Sequence, residues 1–232
     1  MKTVGMIGGV SWESTALYYQ LINEAVRHQL GGLNSAKLLI SSMNYQELVD
    51  YKNQNDWEKI ASTLSKTASN LEKAGVDAVV LCCNTLHKVA SIIEGSISIP
   101  FIHIADAAGA CLSQNKITTV GLLGTRFTME DGFYGEYLAT QYEIKTITPP
   151  LTMRNEIDDI IYKELCVGKC LNQSKAMLLE AIGLLEKQGA QAILLACTEL
   201  GLQIQPEDYH LPIFDTTMVH AKKIAEFGLS ES

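Results

Sequence analysis

The sequence predicts an α/β protein of two similar lobes, each a parallel sheet flanked by helices, related by pseudo-two-fold symmetry. Two observations carry this. The apolar runs VGMIG, AKLLIS, DAVVLC and AILLAC are short and unbroken, as in parallel strands covered on both faces, and helix-length segments separate them. The chain also repeats itself. LEKAGVDAVVLCCNTL (71–86) and LEKQGAQAILLACTEL (185–200) share eight of sixteen residues at an offset of 114, where chance gives about one. TVGMIGG (3–9) matches TVGLLGT (119–125) at an offset of 116, and IPFIH (99–103) echoes LPIFD (211–215).

Each unit reads β-α-β-α-β-α-β-α. The first has strands near 2–8, 36–43, 77–83 and 100–104, with helices near 12–30, 56–74, 86–94 and 105–114. The second has strands near 118–124, 142–147, 191–197 and 212–215, with helices near 129–140, 152–166, 172–188 and 216–228. Crossovers between parallel strands are right-handed. The lobes span 1–104 and 105–215. The C-terminal helix, 216–232, is free to pack on the first lobe, and the active site is expected in the cleft between the two.

Composition narrows the function. The 232 residues carry a net charge of −8, which disfavours a nucleic-acid partner. No apolar run approaches the roughly 20 residues of a membrane span, and MKTVGMIGG reads as a first strand, not an export signal. Six cysteines without a dense framework fit reduced thiols in the cytoplasm. Cys166 and Cys170 lack the further ligands of a zinc set, so they read as helix-end packing.

The strands ending in Cys83 and Cys197 hold the chemistry. Ligands of open α/β sheets sit outside the carboxyl ends of the strands, and the two cysteines occupy that end of equivalent strands. Each precedes an expected helix N-terminus, where backbone N–H groups and the helix dipole would lower a thiol's pKa. Asn84, Thr85, Thr198 and Glu199 follow directly and are placed to cap those helices or to bind polar ligand groups. Two thiols approaching from opposite sides suit removal of a proton from one face of a stereogenic carbon and delivery to the other. They would lie roughly 7 Å apart, each about 3.5 Å from that carbon. The repeat breaks where Asn84 aligns with Thr198 and Thr85 with Glu199. That asymmetry can orient an amino acid, with Glu199 on the ammonium and Asn84, Thr85 and Thr198 on the carboxylate.

At these residues the chain resembles the pyridoxal-phosphate-independent aspartate/glutamate racemase family. The matching motifs are CNT (83–85), CTE (197–199) and GGVSWEST (8–15). With LLGTRFTM (122–129), they look most like the broad-specificity or L-Asp/Glu-specific members. The resemblance covers essentially the whole chain. It implies a cofactor-free amino-acid racemase and a homodimer, with Cys83 and Cys197 as acid/bases and Asn84, Thr85 and Thr198 on the α-carboxylate. Gly9, Val10, Ser11 and Thr125 would line the pocket. Having both cysteines, the chain should racemise reversibly. The Arg and Lys that grip the side-chain carboxylate in aspartate-specific relatives have no clear counterpart; Lys163, Lys169 and Arg126 are the cations at hand.

Alternatives stay open. Hydantoin racemases, maleate isomerases and malonate decarboxylases share the cysteine positions, and a non-catalytic amino-acid-binding protein would need only the carboxylate-holding residues. Cys82, which alternation points away from Cys83, and Cys111 read as core. Gly8-Gly9 lacks the rest of a nucleotide-binding glycine pattern. His87 reads as a hydrogen-bonding residue of a helix surface, Trp12 as packing, and EIDDIIYKE (156–164) as a solvated helix face.

Overall fold

A computed structural model describes residues 1–231. The chain forms two compact units. One comprises Met1–Ile104 and the chain from His220 onward; the other is Ala105–Val219.

The chain runs through β1 (Thr3–Gly8), α1 (Trp12–Leu30), β2 (Lys37–Ser42), α2 (Tyr45–Asn53), α3 (Trp57–Lys73), β3 (Ala78–Leu81), α4 (Ala90–Glu94) and α5 (Ile104–Gln114). It continues through β4 (Thr119–Gly124), α6 (Arg126–Glu130), α7 (Phe133–Tyr142), β5 (Lys145–Ile147), α8 (Leu151–Lys163), α9 (Asn172–Lys187), β6 (Ala192–Ala196), α10 (Leu200–Gln203), β7 (Ile213–Asp215) and α11 (Thr216–Leu229). The first sheet has the order β2-β1-β3 and the second β5-β4-β6-β7. All pairings between these strands are parallel.

The unbroken apolar runs follow from burial on both faces. Val79 and Leu81 of β3 pack with Ile60, Leu64 and Leu71 of α3. Their neighbours Ala78, Val80 and Cys82 point the other way, onto Tyr18, Ile22 and Val26 of α1 and Ala221 and Ile224 of α11, as side-chain alternation along a strand requires. Each large aliphatic side chain so buried contributes roughly 1.5–3 kcal/mol. The spacing of Ile60, Ala61, Leu64, Ala68 and Leu71 keeps them on one face of α3. Asp56 starts that helix by accepting a hydrogen bond from the Lys59 backbone N–H at 2.9 Å. In the second unit, Leu123, Ile193 and Leu195 pack with Ile157, Ile161, Leu178, Ile182 and Leu185 of α8 and α9.

Several elements differ from the sequence expectation. Helix α2 is absent from the sequence expectation: it has nine residues and buries only Leu48 and Lys52, too little for a visible helical period. The strand expected at 100–104 is a single bridge, Val79 to Phe101. Val79 donates to the Pro100 carbonyl at 2.9 Å and accepts from Ile102 at 3.0 Å. The equivalent Pro212 carbonyl accepts from Ile193 at 2.9 Å, and there β7 forms. The helix expected at 86–94 is a 3-10 turn, Thr85–Val89, followed by α4. The helix at 129–140 is split into α6 and α7, with Gly132 between them at φ 77°.

The last helix of each repeat is assigned to the other repeat's unit. Residues of α5 from Ala105 belong to the second unit, where Asp106 accepts from the Tyr142 hydroxyl at 2.5 Å. Gly109 meets the Tyr142 ring so closely that a Cβ would lie 2.3 Å from it. Residues of α11 from His220 belong to the first unit, through Ala221, Ile224 and Ala225 in its core.

Candidate functional site

The strand registers gather the predicted residues at the carboxyl ends of each sheet. In the second unit, Gly124 of β4 pairs with Ala196 of β6; the next residues are Thr125 and Cys197. In the first, Ile7 of β1 pairs with Leu81 of β3, so Gly9 and Cys83 each follow two residues later. Within each unit, a thiol therefore stands beside the loop that opens a helix.

Those two loops share a construction. Ser11 caps α1: its Oγ accepts from the Ser14 N–H at 3.3 Å and lies 3.2 Å from Ser14 Oγ. Thr125 caps α6 in the same way, with Thr128 N–H at 3.4 Å and Thr128 Oγ1 at 3.1 Å. The caps are 114 positions apart, whereas β1 and β4 match at 116. The first loop is thus two residues longer. Gly9 holds φ 78° there, and a Cβ on it would come within 2.2 Å of the Met43 carbonyl oxygen. Its N–H donates to Thr15 Oγ1 at 2.8 Å. The Val10–Ser11 peptide is cis.

The environments of the cysteines differ. Cys83 is half-buried, and the segment after it is fixed by His87, which is 3% exposed. His87 Nδ1 donates to the Cys83 carbonyl at 2.7 Å, and its Nε2 accepts from the Ile104 N–H at 3.2 Å. This defines a neutral tautomer. Burial, together with the charges of His103 and His220, holds the imidazole's pKa well below its ordinary value. His87 is a buried clamp, contrary to its expected place on a helix surface; the rings of Phe101, His103 and His220 that meet it come from non-local packing.

Cys197 is 7% exposed. Its Sγ–H donates to Glu199 Oε2 at 2.9 Å, and the Thr198 hydroxyl donates to the same oxygen at 2.6 Å. Burial, then the Glu199 charge, pushes this thiol well above the ordinary range. The expected helix-dipole activation does not prevail at Cys197. The helix that follows, α10, has only four residues, and Glu199 makes no side-chain cap bond to it. Asn84 likewise makes no cap bond to the 3-10 turn after Cys83. Capping by these polar residues is therefore corrected.

Among the remaining predicted site residues, Asn84, Thr85, Thr125 and Thr198 are buried polar side chains and Val10 is buried. Cys82 is fully buried, and desolvation pushes its thiol far upward. Trp12 is 68% exposed. Lys163 is an exposed partner of Asp159 at 2.8 Å, and the Arg126 backbone N–H donates to Asp158 at 2.7 Å. Sequence reasoning missed the histidine cluster of His87, His103 and His220; ring centroids of the first two lie 4.6 Å apart. No group of three or more His, Cys, Asp or Glu suited to a metal ion occurs among the described residues, nor is any helix there long and apolar enough to cross a membrane.

Known proteins resemble this chain over nearly its whole length. The chain is 22% identical to the broad specificity amino-acid racemase RacX of Bacillus subtilis over 229 residues, covering 94% of this chain and 95% of that one. A solved structure assigned as an Asp/Glu racemase from Yersinia pestis superposes with a TM-score of 0.94 at 44% identity, covering 99% and 100% of the two chains. An aspartate racemase homologue from Pyrococcus horikoshii gives 0.87 at 30% identity, with 99% and 100% covered. The pattern described as Asp/Glu/Hydantoin racemase matches residues 7–224, and the chain belongs to this family of isomerases.

Proposed function

We propose that this protein interconverts the L and D forms of α-amino acids without a cofactor, with aspartate and glutamate or a broader set as substrates. Cys83 and Cys197 serve as the two acid/bases. One observation carries the reading: in a chain of the racemase family, the two thiols stand just beyond the ends of equivalent parallel strands, β3 and β6, each beside an equivalent loop. The resemblance to RacX supports a broad substrate range.

In one direction, Cys83 as thiolate takes the Cα proton. The electron pair left on carbon delocalises into the α-carboxylate, and Cys197 as thiol delivers a proton to the opposite face. The reverse reaction exchanges the roles, so each turnover leaves the pair in the opposite protonation state. Asn84, Thr85 and Thr198 hold the carboxylate, while Gly9, Val10, Ser11 and Thr125 line the substrate. The protein acts in the cytoplasm as a homodimer.

The test is Cα exchange in D2O with separate L and D enantiomers of Asp, Glu and several neutral amino acids, without added cofactor, read by mass and chiral analysis. Exchange with inversion in the wild type, abolished in Cys83→Ala and Cys197→Ala, is expected. Exchange of hydantoins alone would move the substrate class. Ligand binding without exchange of any substrate would make the protein a binder and end the racemase reading.

A further inference from the structure

The two thiols are not equivalent, and the difference lies in one carboxylate. Glu199 Oε2 accepts from both the Cys197 thiol, at 2.9 Å, and the Thr198 hydroxyl, at 2.6 Å. A carboxylate can only accept, so Cys197 carries its proton in this arrangement. The corresponding position after Cys83 is Thr85, which cannot hold an exchangeable negative charge. On that side, the His87 imidazole donates to the Cys83 backbone carbonyl at 2.7 Å.

We propose that Glu199 is the proton partner of Cys197: it takes the thiol proton when Cys197 must act as base and returns it when Cys197 must be restored as acid. The inference rests on the racemase reading above and gives Glu199 a role on the catalytic sulfur in place of the substrate ammonium.

The proton inventory closes. With Glu199 ionised and both cysteines protonated, the Cys197 proton moves to Glu199 Oε2, leaving a thiolate and a carboxylic acid. The thiolate takes the Cα proton from one enantiomer, and Cys83 gives its own proton to the other face and becomes thiolate. The site then holds a Cys83 thiolate, a Cys197 thiol and a protonated Glu199. This is the form that turns over the opposite enantiomer, after which Glu199 returns its proton to Cys197. One negative charge is present throughout, so no step adds a second charge to the buried surroundings of Cys197. Between turnovers in one direction, the proton on Glu199 exchanges to Cys83 through solvent.

Among the described residues, Asp215 and Cys166 also interact electrostatically with this pair. Asp215, at the end of β7, feels the Glu199 charge and is itself held above the ordinary carboxylate range, chiefly by burial. The Cys166 thiol, in the turn after α8, raises Cys197 slightly further. Asp215 is kept in place by the Thr217 N–H at 2.7 Å.

The test compares wild type with Glu199→Gln and Glu199→Asp. The readouts are kcat and KM in both directions from pH 6 to 10, and the pH dependence of Cys197 alkylation by iodoacetamide, mapped by peptide mass. We expect kcat for Glu199→Gln to fall about 100-fold at neutral pH with KM within about threefold. Activity should recover as pH rises, because hydroxide then ionises Cys197 directly. Glu199→Asp should restore part of the rate. The alkylation midpoint of Cys197 should move down in Glu199→Gln, since a neighbouring negative charge has gone. A raised KM with unchanged kcat would overturn the proposal in favour of an ammonium grip. Unchanged kinetics and an unchanged alkylation midpoint would reduce Glu199 to packing. If wild type racemises nothing, the racemase reading fails by itself, and the alkylation midpoint still decides the dyad: a downward shift supports it and no shift overturns it.

Discussion

Tyr18 and His220, 202 positions apart in sequence, are joined by a hydrogen bond of 2.9 Å in a core where both are 0% exposed. His220 Nε2 donates to the Ile102 carbonyl at 2.8 Å, so its Nδ1 is the acceptor and the Tyr18 hydroxyl the donor. Their rings meet edge to face, with centroids 5.5 Å apart. The bond ties α11 to α1 within the first unit. Replacing Tyr18 by Phe leaves a buried imidazole nitrogen without its donor, and we expect a loss of about 1–3 kcal/mol. Urea unfolding checks this against Tyr19→Phe, at a side chain 52% exposed, which should change stability little.

The same histidine makes the fold sensitive to acid. Burial, assisted by the charge of His103 and opposed by the Ile102 bond, pushes His220 from 6.5 down to about 4. His87 is lowered as well. The unfolded chain binds the His220 proton near pH 6.5, whereas the folded chain does not until about pH 4, and the lowered His87 acts in the same direction. Stability is therefore complete above about pH 6.5 and falls as pH drops toward 4, by about 3 kcal/mol for His220 alone. Asp215, whose affinity for its proton is raised by folding, opposes this in the more acidic part of the range. The urea midpoint should fall between pH 7.5 and 5; an unchanged midpoint would contradict the buried neutral histidines.

Gly9 should tolerate no side chain. Its positive φ and the 2.2 Å approach of an added Cβ to the Met43 carbonyl oxygen combine strain with a backbone clash. Gly9→Ala should cost about 2–4 kcal/mol. Gly75 has φ 84° but open space around it, so Gly75→Ala should cost only about 1–2 kcal/mol. Comparing the two midpoints separates conformational strain from collision.

The paired caps predict parallel losses. Ser11→Ala and Thr125→Ala each remove the side-chain oxygen that accepts at a helix start, for about 1 kcal/mol each. Thr125→Ser should keep the stability. Because Thr125 also belongs to the proposed substrate lining, Thr125→Ala should in addition raise KM, which circular dichroism melts and racemisation kinetics would resolve independently.

The amino-acid sequence by itself determined the repeat, the parallel strands and the cysteines that end them. Unbroken runs such as AVVL and AILLA are legible because both faces of each strand must be apolar, and the matched LEK…C segments mark the two copies without reference to space. Gly9, Val10, Ser11 and Thr125 entered as pocket residues through the family resemblance, and the capping roles of Ser11 and Thr125 came from the fold. What packing decided is of another kind. Helices α5 and α11 are assigned to opposite units because their apolar faces meet Tyr142 in one case and Tyr18 in the other, and no local pattern encodes a partner distant in the chain. His87 became a buried neutral clamp because His103, His220 and Ile104 surround it. Local motif logic placed Cys197 as a thiol activated by a helix terminus. The fold gave it four residues of helix, near-complete burial and a carboxylate 2.9 Å away. Desolvation and that neighbouring charge favour the protonated sulfur, and both depend on what the tertiary structure brings to the strand end.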